Sequence, residues 1–142
     1  MNLETYIKNC PTSIIQEIEG LIEQCNFDEN FSWDADCFFV GRNEKAIIGV
    51  VVYAFIKCGD EEVFPRCLHI IINKPYRRTR QALLMLIKSE LELSKMGYKQ
   101  IIVQIALDIP NRDVKKKYTE EFGYKKYAED NNAEFFVKNI GE

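Results

Sequence analysis

Three arginines and a threonine stand where an apolar strand gives way to a long amphipathic stretch. Residues 68–98 read LHIIINKPYRRTRQALLMLIKSELELSKMGY, which predicts a strand, a short basic loop and a helix in direct succession. The first turn of a helix exposes backbone N–H groups that have no intrahelical partner, and the peptide dipoles add positive potential there. Arg77, Arg78 and Arg80 crowd that end, and Thr79 is a residue type that caps it. Backbone donors, dipole and guanidinium groups together suit a multiply charged anion, a pyrophosphate in particular.

The lone histidine, His69, lies on the strand that feeds this loop. Alternation puts Cys67, His69, Ile71 and Asn73 on one face of that strand and Leu68, Ile70 and Ile72 on the other. Its intrinsic pKa makes His69 a candidate base near neutral pH. The plainer reading is a half-buried ring bonded to a neighbouring backbone carbonyl. Asp34, Asp36, Glu61 and Glu62 are the other candidate bases, carried by two acidic loops. In the first loop, 26–36, Asp28, Glu29, Asp34 and Asp36 surround Phe31 and Trp33; the second adds Asp60. Carboxylates beside aromatic rings suit an ammonium group, with cation–π contact adding about 0.5–2 kcal/mol. Charge-rich loops are also commonly no more than solvated surface. Lys115, Lys116 and Lys117 point round nearly a full helical turn, a solvated face with room for one phosphate contact.

These residues need a scaffold, and the composition supplies one. At 142 residues, 46% hydrophobic and 29% charged, the chain fits a single domain over 1–142 with a real core. A net charge of −3 argues against a nucleic-acid platform. The longest apolar run, Ala46 to Ile56, is interrupted by Gly49 and too short to cross a bilayer. The opening MNLETYIKNC has no apolar signal segment. The expectation is a cytoplasmic protein with neither nucleic acid nor membrane as partner. Cys10, Cys25, Cys37, Cys58 and Cys67 show no metal-ligand spacing, so reduced thiols and no metal are expected.

Along the chain, residues 1–10 read equally as a strand or a helical turn. Pro11-Thr12-Ser13 opens a helix whose apolar face is Ile14, Ile15, Ile18, Leu21, Ile22 and Cys25. Strands are expected over Cys37–Gly41 and Ala46–Lys57, with Arg42-Asn43-Glu44-Lys45 as the turn, and then over Arg66–Asn73. Residues 58–65 read as the second acidic loop. The helix after the basic loop spans about Arg80 to Met96 with Gly97 at its C′ position, and Leu83, Leu84, Ile87 and Leu91 share one face of it. A strand over Lys99–Ala106, a helix over Asn111–Phe122 and a hairpin of Tyr124–Ala128 with Ala133–Lys138 complete the order. The pattern predicts a mixed α/β (α+β) sandwich, helices covering a largely antiparallel sheet.

That order, with the strand–loop–helix at its centre, resembles the GCN5-related N-acetyltransferase (GNAT) family from about residue 11 to residue 139. The family's central motif reads roughly R/Q-x-x-G-x-G/A after a strand that ends near a proline. In Pro75-Tyr76-Arg77-Arg78-Thr79-Arg80-Gln81-Ala82, Arg77 fits its first position and Ala82 its last. Arg80 stands where the family has glycine, whose lack of a side chain lets the backbone approach a pyrophosphate. A second resemblance is NRDVKKKYTEEFGY, Asn111 to Tyr124: an asparagine, a tyrosine two turns on, and a closing Gly-aromatic pair. Counted from Asn111 that tyrosine is Tyr118. Counted back from Gly123 the position is Thr119, so the chain carries one extra residue.

The resemblance implies a GNAT-like acyl-CoA N-acyltransferase fold, acetyl-coenzyme A as acetyl donor, and a small-molecule or protein amine as acceptor. It further implies a monomer or homodimer. Backbone N–H groups from Arg78 to Gln81 would hold the pyrophosphate, with Arg77, Arg78 or Arg80 adding charge. A backbone N–H at Ile72 or Asn73 would polarise the thioester carbonyl, and Asn111 would help hold the pantetheine arm. Tyr118 would protonate the leaving thiolate, or else pack against the sheet. His69 or a loop carboxylate would deprotonate the amine through water. Arg80 and the extra residue also fit a catalytically inactive acetyltransferase-like domain that acts as a binding module.

Overall fold

The computed structural model describes residues 1–27, 30–44, 46–59 and 62–141, with Cys58 described by its backbone alone. Its elements are β1 (Asn2–Ile7), α1 (Thr12–Gln24), β2 (Cys37–Asn43), β3 (Ala46–Cys58), β4 (Glu62–Ile72), α2 (Arg80–Lys95), β5 (Gln100–Ala106), α3 (Arg112–Glu121), β6 (Lys125–Glu129) and β7 (Ala133–Asn139). The strands form one sheet in the order β1-β2-β3-β4-β5-β7-β6. Pairing is antiparallel at β1–β2, β2–β3, β5–β7 and β6–β7, and parallel at β4–β5. This is the expected mixed α/β architecture. Among the described residues no helix is long and apolar enough to cross a membrane.

The chain divides into two compact units, Met1–Ala54 with Leu68–Glu92 and Phe55–Cys67 with Leu93–Glu142, so β3, β4 and α2 contribute to both. In the first unit, Ile14, Ile18 and Leu21 of α1 bury against Phe38, Val40, Val50, Val52 and Ile71. On β2 and β3 these are alternate residues, as a pleated strand demands. The opposite sheet face lies under α2. Gly41 makes room there for Met85, whose Sδ would sit 2.6 Å from any Cβ added at that position. Phe39 and Tyr53 meet edge to face on the same side, 5.7 Å between centroids. Arg42 ties three elements together, with 2.6 and 2.7 Å bonds to Glu17 of α1 and a 2.9 Å ion pair to Glu4 of β1. Its hydrogen bonds hold the Glu17 carboxyl below its usual range.

Several elements differ from expectation. Residues 2–7 become a strand because their peptide groups find β2, from Asn2↔Arg42 to Ile7↔Cys37. β4 begins at Glu62, so part of the second acidic loop is strand. Asp60, Glu61 and Lys45, like Asp28 and Glu29, lie outside the described residues. The largest surprise is α2. The face shared by Leu83, Leu84, Ile87 and Leu91 is the exposed one; Ala82, Met85, Leu86, Ser89 and Leu93 are buried instead.

In the second unit, β7 lies between β5 and β6, with Ile101, Ile105 and Phe136 in its core. Asp130 closes the last hairpin by accepting the N–H groups of Asn132 and Ala133 at 2.7 and 2.9 Å. Gly97, at φ 100°, ends α2, while Tyr98 N–H returns to Leu93 O at 3.2 Å. Glu134 is 4% exposed and lies 3.1 Å from Lys126 and 3.2 Å from Lys116. The hydrogen bond from Lys126, aided by that from Lys116, keeps its carboxyl below the usual range.

Gly49 is where β3 and β4 come closest. A Cβ added there would meet Ile71 O at 2.5 Å, a backbone atom that cannot step aside. Gly49→Ala is expected to lower stability by about 2 kcal/mol or more. Gly41→Ala should cost about half that, because the obstructing Met85 is flexible. Denaturant unfolding of both variants measures the difference; equal losses would contradict the packing described.

Candidate active site

β4 is bonded on one side to β3. Asn73 N–H donates to Ile48 O at 2.8 Å, and Asn73 Nδ2 donates to Ile47 O at 3.0 Å. Neighbouring peptide groups of a strand point to opposite edges, so the N–H of Ile72 faces away from β3. Among the described residues β4 pairs with β5 at Arg66↔Ile102. Of the two expected oxyanion donors, Asn73 is therefore committed to β3, which leaves the N–H of Ile72 as the candidate. The Ile72 carbonyl accepts Arg77 Nε at 3.0 Å and Cys25 Sγ at 3.6 Å. Arg77 thus bonds back to the end of β4 through its Nε.

After Ile72 the chain makes one 3-10 turn, Lys74–Tyr76, with Pro75 inside it. Arg78 then adopts the left-handed conformation, φ 60°. This sharp reversal lets Thr79 begin α2. The Thr79 hydroxyl donates to Tyr76 O at 2.5 Å and accepts Ala82 N–H at 3.4 Å, the N-cap expected of it. Ala82 is buried, and its N–H meets this cap. The N–H groups of Arg80 and Gln81 have no acceptor among the described residues, and the buried Gln81 Oε1 has no partner there. Arg80, at the family's glycine position, does not need glycine's backbone freedom; the positive φ falls two residues earlier. Its side chain, like those of Arg77 and Arg78, is exposed.

His69 is not set up as a base. Its Nε2 accepts the backbone N–H of Ser32 at 3.2 Å and lies 3.2 Å from the Ser32 hydroxyl. An accepting Nε2 assigns the proton to Nδ1. The ring stacks on Phe31 at 5.1 Å and meets the edge of Phe27 at 5.3 Å, and burial lowers its pKa. The partner is thus a backbone donor and not the expected carbonyl, and His69 ties Phe27, Phe31 and Ser32 to β4. Phe31 extends the cluster to Trp33 at 4.4 Å and Phe38 at 6.3 Å. Ser32 and Cys25, which hold this strand end, carry no signal of their own in sequence; the density of aromatic residues in the loop was the available clue. Trp33 also borders a cleft of about 310 Å³ with Lys8, Asn9, Cys10, Ile15 and Glu19. Asp34 and Glu62 are exposed. The Asp36 carbonyl accepts Lys8 N–H at 2.7 Å.

Asn111 and Tyr118 belong to the second unit. Asn111 precedes α3 in the left-handed region, φ 61°, and its carbonyl accepts Lys115 N–H at 3.0 Å. Tyr118 is 40% exposed. The Thr119 hydroxyl donates to Lys115 O at 2.7 Å and is occupied within the helix. Lys116 of the basic run is drawn to Glu134 at 3.2 Å.

No family model matches the sequence, and no curated protein does. Solved structures do match. A candidate acetyltransferase of the GNAT family from Desulfovibrio desulfuricans superposes with a TM-score of 0.72 at 9% identity, covering 98% of this chain and 99% of that one. The ribosomal-protein-S18-alanine N-acetyltransferase of Escherichia coli gives 0.67 at 11% identity over 98% and 96%. The PaiA N-acetyltransferase of Thermoplasma acidophilum, solved with coenzyme A, gives 0.63 at 13% over 98% and 99%. The similarity is one of fold, over nearly the full length of each chain.

The setting of His69 has a consequence for stability. Burial favours the neutral ring, so its folded pKa lies below the unfolded value of 6.5. The stabilisation is complete above that value and is lost as pH falls through it toward the folded pKa. Thermal stability should therefore fall between about pH 7.5 and 5.5, and less steeply in His69→Gln. Equal slopes in the two proteins would show that loop 27–33 does not depend on the neutral ring.

Proposed function

We propose, from the premise that this chain has the GCN5-related N-acetyltransferase fold, that it transfers an acetyl group from acetyl-coenzyme A to an amine. The observation that carries this reading is the start of α2. Thr79 caps the helix with its own side chain, yet the N–H groups of Arg80 and Gln81 are left pointing out of it. Helix N-termini with open donors favour anions, and Arg78 and Arg80 bring cationic side chains to the same turn. The residues therefore fit the pyrophosphate of the donor. When bound, the donor supplies an activated acetyl thioester.

The chain's own residues have three tasks in this reading. Ile72 N–H, on the unbonded edge of β4, offers a hydrogen bond to the thioester oxygen, where negative charge develops. The Tyr118 hydroxyl, exposed on α3, donates a proton to the departing thiolate. Its neighbour Thr119 is occupied within the helix, which favours counting the motif from Asn111. Asn111, at the start of α3, steadies the pantetheine arm. With His69 held by Ser32, no strong base is needed if the amine arrives neutral, since positioning two reactants supplies much of the rate. The acceptor is a small-molecule or protein amine.

Calorimetric titration with acetyl-coenzyme A tests the first task. Micromolar affinity, about −8 kcal/mol, is expected. Arg78→Gly should weaken it at least about tenfold, yet raise stability by up to about 1 kcal/mol by relieving the left-handed arginine. Lost affinity in a protein that is no less stable cannot be put down to unfolding. No binding at millimolar ligand would favour a non-catalytic binding domain, with Arg80 blocking the cradle.

Tyr118→Phe should lower turnover about a hundredfold with little change in cofactor affinity. An unchanged rate would remove Tyr118 from the mechanism.

A further inference from the structure

A helix lying on a sheet normally shows one apolar face and one polar face. α2 shows two apolar faces. Ala82, Met85, Leu86 and Ser89 are buried, while Leu83, Leu84, Ile87 and Leu91 stay 50%, 38%, 44% and 54% exposed. At about 100° per residue, the exposed four share an arc of about 120° with Arg80 and Glu90. A stripe of this kind on a soluble domain marks an interaction surface.

We infer that the exposed face of α2 pairs with the same face of a second copy, antiparallel, about a two-fold axis at Ile87. The spacing is symmetric. Leu83 and Leu91 lie one turn to either side of Ile87, so the axis places Leu83 of one copy opposite Leu91 of the other. The charges are self-complementary in the same sense. Arg80 ends the stripe on one side and the part-exposed Glu90 flanks it on the other. Reversing the second helix brings Arg80 within about one turn, roughly 6 Å along the axis, of Glu90 of the other copy. The two-fold makes that pair twice. A parallel arrangement would set Arg80 against Arg80 and Glu90 against Glu90. An isologous contact of this kind is the commonest route to a dimer.

The stripe is small. Four half-exposed aliphatic side chains fall short of the about 800 Å² per partner of a standard stable interface. The dimer is accordingly weak and concentration-dependent.

Sedimentation velocity from about 1 μM to about 1 mM protein is the first test. A rise in mass from monomer to dimer across that range is expected, and a wild-type chain that stays monomeric throughout would overturn the inference. The position of the axis is tested with Ile87→Glu and Ile87→Lys, both on an exposed site and checked for folding by circular dichroism. Each variant alone should be monomeric, since the axis sets like charges face to face. An equimolar mixture should recover the dimer. Dimers formed by either variant alone, or no recovery on mixing, would exclude pairing at Ile87.

Discussion

The close approach of β3 to β4 at Gly49 is the constraint on which the candidate site rests. Without a Cβ at that position, β3 lies against the backbone of Ile71 and Ile72, and Asn73 can bond both Ile47 and Ile48. One edge of the strand is thereby used up. The other edge keeps the N–H of Ile72, and the chain leaves β4 in a direction set by its neighbour. The 3-10 turn, the left-handed Arg78 and the Thr79 cap follow within a few residues. A substitution that pushed β3 away would move the donor, the loop and the helix start together.

Charge and conformation are arranged differently in the two units. In the first, the loop toward α2 concentrates cationic groups and holds one of them, Arg78, in a backbone conformation that costs about 1 kcal/mol or more for a non-glycine residue. The arginines are not equivalent: Arg77 turns back to the Ile72 carbonyl and steadies the strand end. In the second unit the cations serve stability, with Lys116 and Lys126 converging on the nearly buried Glu134. Cationic side chains thus have different uses, and the position of an acceptor separates them.

Local signals were legible in the sequence and long-range ones were not. Thr79 as a cap and Gly97 as a helix stop depend on residues within a turn or two, and both stand as read. The order of helices and strands followed from periodicity. The status of residues 2–7 did not, because it depends on β2, more than thirty positions away. His69 shows the same limit. Its type and place on the strand suggested a base, but its chemistry is decided by a backbone N–H at Ser32 and by two phenylalanine rings on a loop without periodicity. Arg80 was read from the motif as a side chain standing where the backbone should come close to a pyrophosphate. The structure keeps that departure a steric one only, since the left-handed backbone belongs to Arg78.

α2 carries the remaining misfit, and its cause is general. Periodicity identifies a helical face but not what covers it, and α2 has apolar residues to spare. Leu83, Leu84, Ile87 and Leu91 form the cleaner stripe, yet the sheet takes Met85 because Gly41 leaves a hollow of its shape. Once Met85 is seated, the rotation of the helix about its axis is settled. The leucine stripe must then face outward, with Arg80 on its line and the open N–H groups of Arg80 and Gln81 beside it. Met85 over Gly41, with Ala82, Leu86, Ser89 and Leu93 buried beside it, thus goes with the outward stripe and with the open first turn of α2.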